Sequence, residues 1–157
     1  MRRLAVLLAT GFGIGYLPIA PATWASAATA LLLFAILPRV GFVPLLGLTM
    51  AAAGLALLVC GPAEEKLGHD AHPIVMDEVA GMFVAVCGVP AIGHAHPPQL
   101  ILLVLAFVLF RVFDIAKPFP VGRAQALPGA LGIVTDDVLA GIYSNLVLQV
   151  IARVVPT

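Results

Sequence analysis

The sequence predicts an all-α membrane protein, a polytopic bundle of about four to five apolar helices forming one domain over residues 1–157. Three observations carry this. Hydrophobic residues make up 62% of the chain and charged residues only 10%, whereas a soluble domain carries roughly 25% charge and has too much surface to do without it. The charges are also confined. Residues 4–38 and 40–63 contain no Asp, Glu, Lys, Arg or His, 79–110 contain only His94 and His96, and 138–152 contain none. Finally, the apolar runs are unbroken rather than alternating, which favours helices over a membrane barrel. Eight Lys and Arg balance eight Asp and Glu, so there is no basic footprint for nucleic acid.

The elements follow in order. Arg2-Arg3 and the apolar Leu4–Ala9 resemble a leader, but Gly11, Gly13, Gly15, Pro18 and Pro21 interrupt the apolar core early. Such backbone is tolerated at membrane depth where it lines a cavity, so residues 10–26 are expected to belong to a site. A span needs about 20 apolar residues, and the passes fall at 24–37, 41–61, 78–90, 99–113 and 138–155. Three of these are shorter than a full span, and such a pass tilts little, reaches the interface only, or thins the bilayer. Pro38-Arg39-Val40-Gly41 separates the first two, Gly61-Pro62 ends the second, and Gly88-Val89-Pro90 to Pro97-Pro98 closes the third. His94 and His96 in that last loop lack further ligands nearby and read as solvated. Cys60 and Cys87 read as buried thiols packed like small hydrophobes. With the N-terminus inside, Arg2, Arg3, Lys66, Arg111, Lys117 and Arg123 lie inside and only Arg39 and Arg153 outside, the arrangement the positive-inside rule favours. That topology puts every acid on the cytoplasmic face.

Two acidic pairs adjoin the starts of apolar passes: Asp77-Glu78-Val79-Ala80-Gly81 and Asp136-Asp137-Val138-Leu139-Ala140-Gly141. A helix dipole accounts for one acid at a helix start. It does not account for adjacent acids twice in a chain holding eight. Asp77 and Asp137 each stand four residues before a glycine, and small residues let helices approach closely, so the two clusters are expected to converge. The segment Phe110-Arg111-Val112-Phe113-Asp114-Ile115-Ala116-Lys117-Pro118 places Arg111, Asp114 and Lys117 three apart, near one helical face. Carboxylates so clustered repel unless a divalent cation holds them, and Mg²⁺ binds through a few carboxylates and a substrate phosphate. Asp77 and Asp137 are therefore expected to be metal ligands. Asp114 is either a ligand or the base that orients water, with Glu78 and Asp136 as further catalytic candidates, while Arg111 and Lys117 meet the phosphate.

These segments resemble the phosphatidylglycerophosphatase A family of bacterial membrane lipid phosphatases. The likeness runs through Gly11–Gly15 with Pro18-Ile19-Ala20-Pro21-Ala22-Thr23, then Ile74–Met82, Phe110–Pro120 and Gly132–Gly141. It implies Mg²⁺-dependent removal of the terminal phosphate of phosphatidylglycerophosphate at the cytoplasmic face of the inner membrane. It also adds Thr23 to the phosphate-binding candidates. Ala22 and Ala25 stand where the family pattern has glycine, so a positive φ at either would be strained. Signatures of CDP-alcohol phosphotransferases, haloacid-dehalogenase-like phosphatases and Cys-x5-Arg phosphatases are absent. Attack by a metal-activated water is the simplest mechanism, and an aspartyl-phosphate intermediate is the other route. In a different class, a small Mg²⁺ transporter or channel would use the acids as a cation path.

Overall fold

The computed structural model describes residues 2–68, 71–89 and 99–154, and every element in it is helical. In chain order these are α1 (Arg2–Ala9), a 3₁₀ segment (Gly11–Tyr16), α2 (Pro21–Ile36), a 3₁₀ turn (Leu37–Arg39), α3 (Phe42–Leu67), α4 (Met76–Val86), α5 (Gln99–Ala116), α6 (Val121–Ala124) and α7 (Ala130–Val154). Four stretches among the described residues are long and apolar enough to cross a membrane: 21–39, α3, α5 and α7. Their outward faces carry Leu31, Leu58, Ile115 and Val150, each more than half exposed. Such a belt would be a liability in water. Against lipid it is the expected surface.

The third apolar pass differs from its expectation. It forms only the 11-residue α4, about 16 Å long at 1.5 Å per residue, roughly half a hydrocarbon core. Instead of facing lipid, α4 is the core helix, with Ala80, Gly81, Met82, Phe83, Ala85 and Val86 all buried. Its end is held from α7. The Asn145 amide donates to the carbonyls of Val84, Ala85 and Cys87 at 3.0, 3.1 and 2.7 Å, and Gln149 donates to Asn145 Oδ1 at 2.6 Å. A helix can stop among apolar helices only if its last carbonyls find donors, and Asn145 provides them.

Other boundaries move as well. Gly61-Pro62 does not end the second pass, because α3 continues through Pro62 to Leu67 and stops at Gly68, whose φ is +106°. The fifth pass starts earlier than its apolar run, at Ala130. Hydroxyls within the spans bond back to their own helices: Ser26 to the Ala22 carbonyl, Thr29 to Ala25, Thr49 to Leu45 and Ser144 to Ala140, which satisfies them without water. Cys60 is buried as expected, whereas Cys87 is only partly so. The loop carrying His94 and His96 lies outside the described residues, as does Asp70.

Candidate functional site

Helices α4 and α7 meet through glycine. A Cβ on Gly81 would lie 2.8 Å from the Asp137 carbonyl oxygen, and one on Gly141 would lie 2.4 Å from the Gly81 carbonyl oxygen. Neither position has room for a side chain, so the backbones touch. This contact brings Asp77 and Glu78 from the first turn of α4 up to Asp137.

The α7 pair is the more telling one. Asp136 and Asp137 are the seventh and eighth residues of a helix that begins at Ala130, beyond the first turn where the dipole favours acids. Both are buried to 4% exposure, and Asp77 and Glu78 to 8% and 7%. Capping cannot explain acids placed there.

The carboxylates form two overlapping trios, Asp77–Glu78–Asp137 and Asp114–Asp136–Asp137, each with oxygens within 4.8 Å of one another. The second trio is compensated. Arg111 Nη1 lies 2.8 Å from Asp114 Oδ2, and Lys117 Nζ lies 3.5 Å from Asp114 Oδ1 and 2.5 Å from Asp136 Oδ2. Burial alone would lower the Lys117 pKa, but the hydrogen bond and charge of Asp136, helped by Asp114, outweigh it and hold the ammonium above the usual lysine range. Lys117 therefore stays charged. It also sits at φ +42°, a left-handed backbone that a side-chain-bearing residue adopts at a cost of about 1–2 kcal/mol. The residue closes the last turn of α5, its N–H donating to the Phe113 carbonyl at 2.9 Å.

The first trio has no such cations. Asp77 Oδ1, Glu78 Oε2 and Asp137 Oδ2 are buried without a hydrogen-bond partner among the described residues. Two like charges no more than 4.8 Å apart repel by at least roughly 3.5 kcal/mol at an effective dielectric of about 20. Three orphaned oxygens on three buried acids suit a hard divalent cation. The five carboxylates of the two trios, with Arg111 and Lys117, line one cavity of about 320 Å³, closed by the start of α2 (Ala20, Pro21, Ala22) and by His72 and Gln125. The cavity opens at the end of the bundle where α2, α4 and α7 begin and α3 and α5 finish.

A profile of phosphatidylglycerophosphatase A matches residues 7–152. The chain belongs to the phosphatidylglycerophosphatase A family. It is 39% identical to phosphatidylglycerophosphatase A of Haemophilus influenzae over 90% of this chain and 85% of the relative. Against the Escherichia coli protein of the same name it is 31% identical over 94% and 83%. A Bacteroides thetaiotaomicron protein named as a candidate phosphatidylinositol-3-phosphatase is 34% identical over 94% and 92%. No solved structure matches the chain.

Of the eight residues singled out from the sequence, seven converge: Asp77, Glu78, Arg111, Asp114, Lys117, Asp136 and Asp137. Thr23 does not join them. One residue past Ala22 on a helix turns a side chain by about 100°, and Thr23 lines the apolar groove between α2 and α5. Ala22 and Ala25 lie inside α2 with ordinary helical backbone, and the left-handed residue is Ala20, φ 48°, so their replacement of glycine strains nothing. In the N-terminal segment Gly11 and Gly13 hold positive φ, and Gly15 is the crowded one, where a Cβ would strike the Pro73 carbonyl. That contact docks the 3₁₀ segment, and the Val75 N–H to Ala9 carbonyl bond at 2.8 Å docks the end of α1, on the loop leading into α4. Sequence reasoning missed His72 and Gln125 as cavity walls. His72 stood beside the motif and could have been found, whereas nothing local marks Gln125.

Proposed function

We propose that this chain hydrolyses the terminal phosphate of phosphatidylglycerophosphate to phosphatidylglycerol and inorganic phosphate, with Mg²⁺ as cofactor, at the cytoplasmic face of the bacterial inner membrane. The observation that carries this is a buried trio of uncompensated carboxylates beside Arg111 and Lys117 in one cavity, in a chain of this family. Asp77, Glu78 and Asp137 would hold the ion, which takes Glu78 from a catalytic candidate to a ligand. Bound there, Mg²⁺ supplies positive charge to the phosphoryl oxygens and acidifies a water.

The remaining groups have separable roles. Arg111 Nε, buried without a hydrogen-bond partner, and the Lys117 ammonium bind the phosphoryl oxygens and neutralise charge as it develops. Asp114 sits between those two cations, aims both, and takes the proton of the attacking water as its oxygen bonds to phosphorus. The phosphorus–oxygen bond to the glycerol breaks, and the proton passes to that oxygen. Asp136 holds Lys117 in place through their ion pair.

A cation channel fits less well. The acids among the described residues gather at one end of the bundle, and the mid-depth polar pair Asn145–Gln149 is engaged by the α4 terminus rather than lining a path. At the site end, Arg2 pairs with Glu65 at 3.6 Å, so basic residues also collect there, in keeping with a cytoplasmic orientation.

The test is phosphate release by purified protein from phosphatidylglycerophosphate and from phosphatidylinositol 3-phosphate, after chelation and after Mg²⁺ is restored. Release from the first lipid that needs Mg²⁺ is expected. Full activity after exhaustive chelation overturns the metal assignment. Preference for the inositol lipid overturns the headgroup assignment.

A further inference from the structure

A groove runs down the lipid-facing seam between α2 and α5. On α2 its floor is the stripe Thr23, Ala27, Ala30, spaced by four and three residues and so on one helical face. The small side chains there leave the seam concave. Two hollows, of about 470 and 330 Å³, share Phe107 and so adjoin along it. At the upper end the groove is walled by Arg111, which also walls the polar cavity. From Thr23 to Phe34, the last α2 residue lining it, is eleven residues or about 16 Å, close to half of a hydrocarbon core of about 30 Å. The groove is therefore one leaflet deep and starts at the phosphate site.

We propose that this groove is the acyl-chain subsite: the substrate enters sideways from the bilayer, its phosphate passing Arg111 into the cavity while a fatty-acyl chain lies along Thr23, Ala27, Ala30 and Phe107. The inference rests on the lipid phosphatase reading above. A phosphate reaching a cavity inside a membrane bundle must leave its glycerol and chains in an apolar path joined to that cavity, and Arg111 is the residue where such a path meets it. Thr23, lying at the junction and outside the polar cavity, falls beside the glycerol ester region and not the phosphate.

Filling the floor tests this. Ala30→Trp, about 10 Å along α2 from Thr23 and so beyond the reach of a six-carbon chain, is compared with wild type on long-chain and on dihexanoyl phosphatidylglycerophosphate. A loss in kcat/KM of tenfold or more on the long-chain lipid, with the dihexanoyl value within twofold, is expected. A long-chain phosphatidylglycerophosphate with a photoreactive acyl chain should crosslink to peptides of α2 and α5. Equal losses on both substrates, no loss in folded protein, a changed oligomeric state in place of altered chain-length preference, or crosslinks confined to other helices each overturn the groove. Wild-type protein inactive on both lipids overturns the functional reading instead, and the crosslink map still locates the chain.

Discussion

Replacing Gly141 with alanine should disable the site without touching a charged residue. The new Cβ would stand 2.4 Å from the Gly81 carbonyl oxygen and 3.0 Å from Val84 Cβ, where ordinary contacts begin at 3.4 Å. Both obstacles belong to the core helix α4, and a carbonyl oxygen within a helix cannot rotate aside as a flexible side chain would. The helices must part by roughly 1 Å, and overpacking of this kind costs about 1–3 kcal/mol. The same displacement moves Asp77 and Glu78 away from Asp137, opening a trio whose oxygens now fit within 4.8 Å. Misplacing reacting groups by about 1 Å costs on the order of 10²-fold in rate. Gly141→Ala is therefore expected to lose about 10²-fold in kcat and to need more Mg²⁺ for half-maximal activity, while still inserting in the membrane. Gly54→Ala on α3, where a Cβ meets nothing within 4 Å, should keep full activity. Phosphate release across a Mg²⁺ titration, on detergent-purified protein checked by size exclusion, measures both. Folded Gly141→Ala protein with wild-type kcat and wild-type Mg²⁺ requirement would refute the claim that glycine contact sets the site.

Three further outcomes are expected. Asp137→Asn, Asp114→Asn and Lys117→Ala should each cost 10²-fold or more in kcat, whereas Glu64→Gln and Arg153→Gln should cost little; near-normal phosphate release by both Asp→Asn variants removes the assigned roles. Asn145→Ala strips the donor from two α4 carbonyls and from that of Cys87 just beyond, and leaving buried acceptors unpaired should lower stability by about 1–3 kcal/mol, read as a lower thermal midpoint in detergent; an unchanged midpoint means α4 ends without its help. In a background lacking Cys60 and Cys87, cysteine at Glu65 or Arg123 should react with an impermeant thiol reagent only in opened cells, and cysteine at Arg39 in intact ones. The reverse pattern inverts the orientation.

The sequence by itself determined the kind of molecule and most of the residues that meet in its polar cavity. Uncharged, unbroken apolar runs of 15 residues or more fold in lipid as helices, so the α2, α3, α5 and α7 regions were visible from charge position alone. The acidic and basic motifs were visible because charge is costly beside a bilayer, which makes each one conspicuous. Close approach at Gly81 and Gly141 was also legible, since a missing side chain is a local fact. What only the tertiary structure decided is which charge answers which. Lys117 pairs with Asp136, 19 residues away, and this leaves Asp77, Glu78 and Asp137 as the uncompensated set. The length of α4 was equally hidden, because the donors that end it come from Asn145, about 60 residues later. Thr23 lies outside the polar cavity by one residue of helical rotation, and the start of α7 was missed by eight residues of ordinary helix before its apolar run. In each case the deciding quantity is a distance between helices, and helix packing settles that distance through contacts that no local pattern encodes.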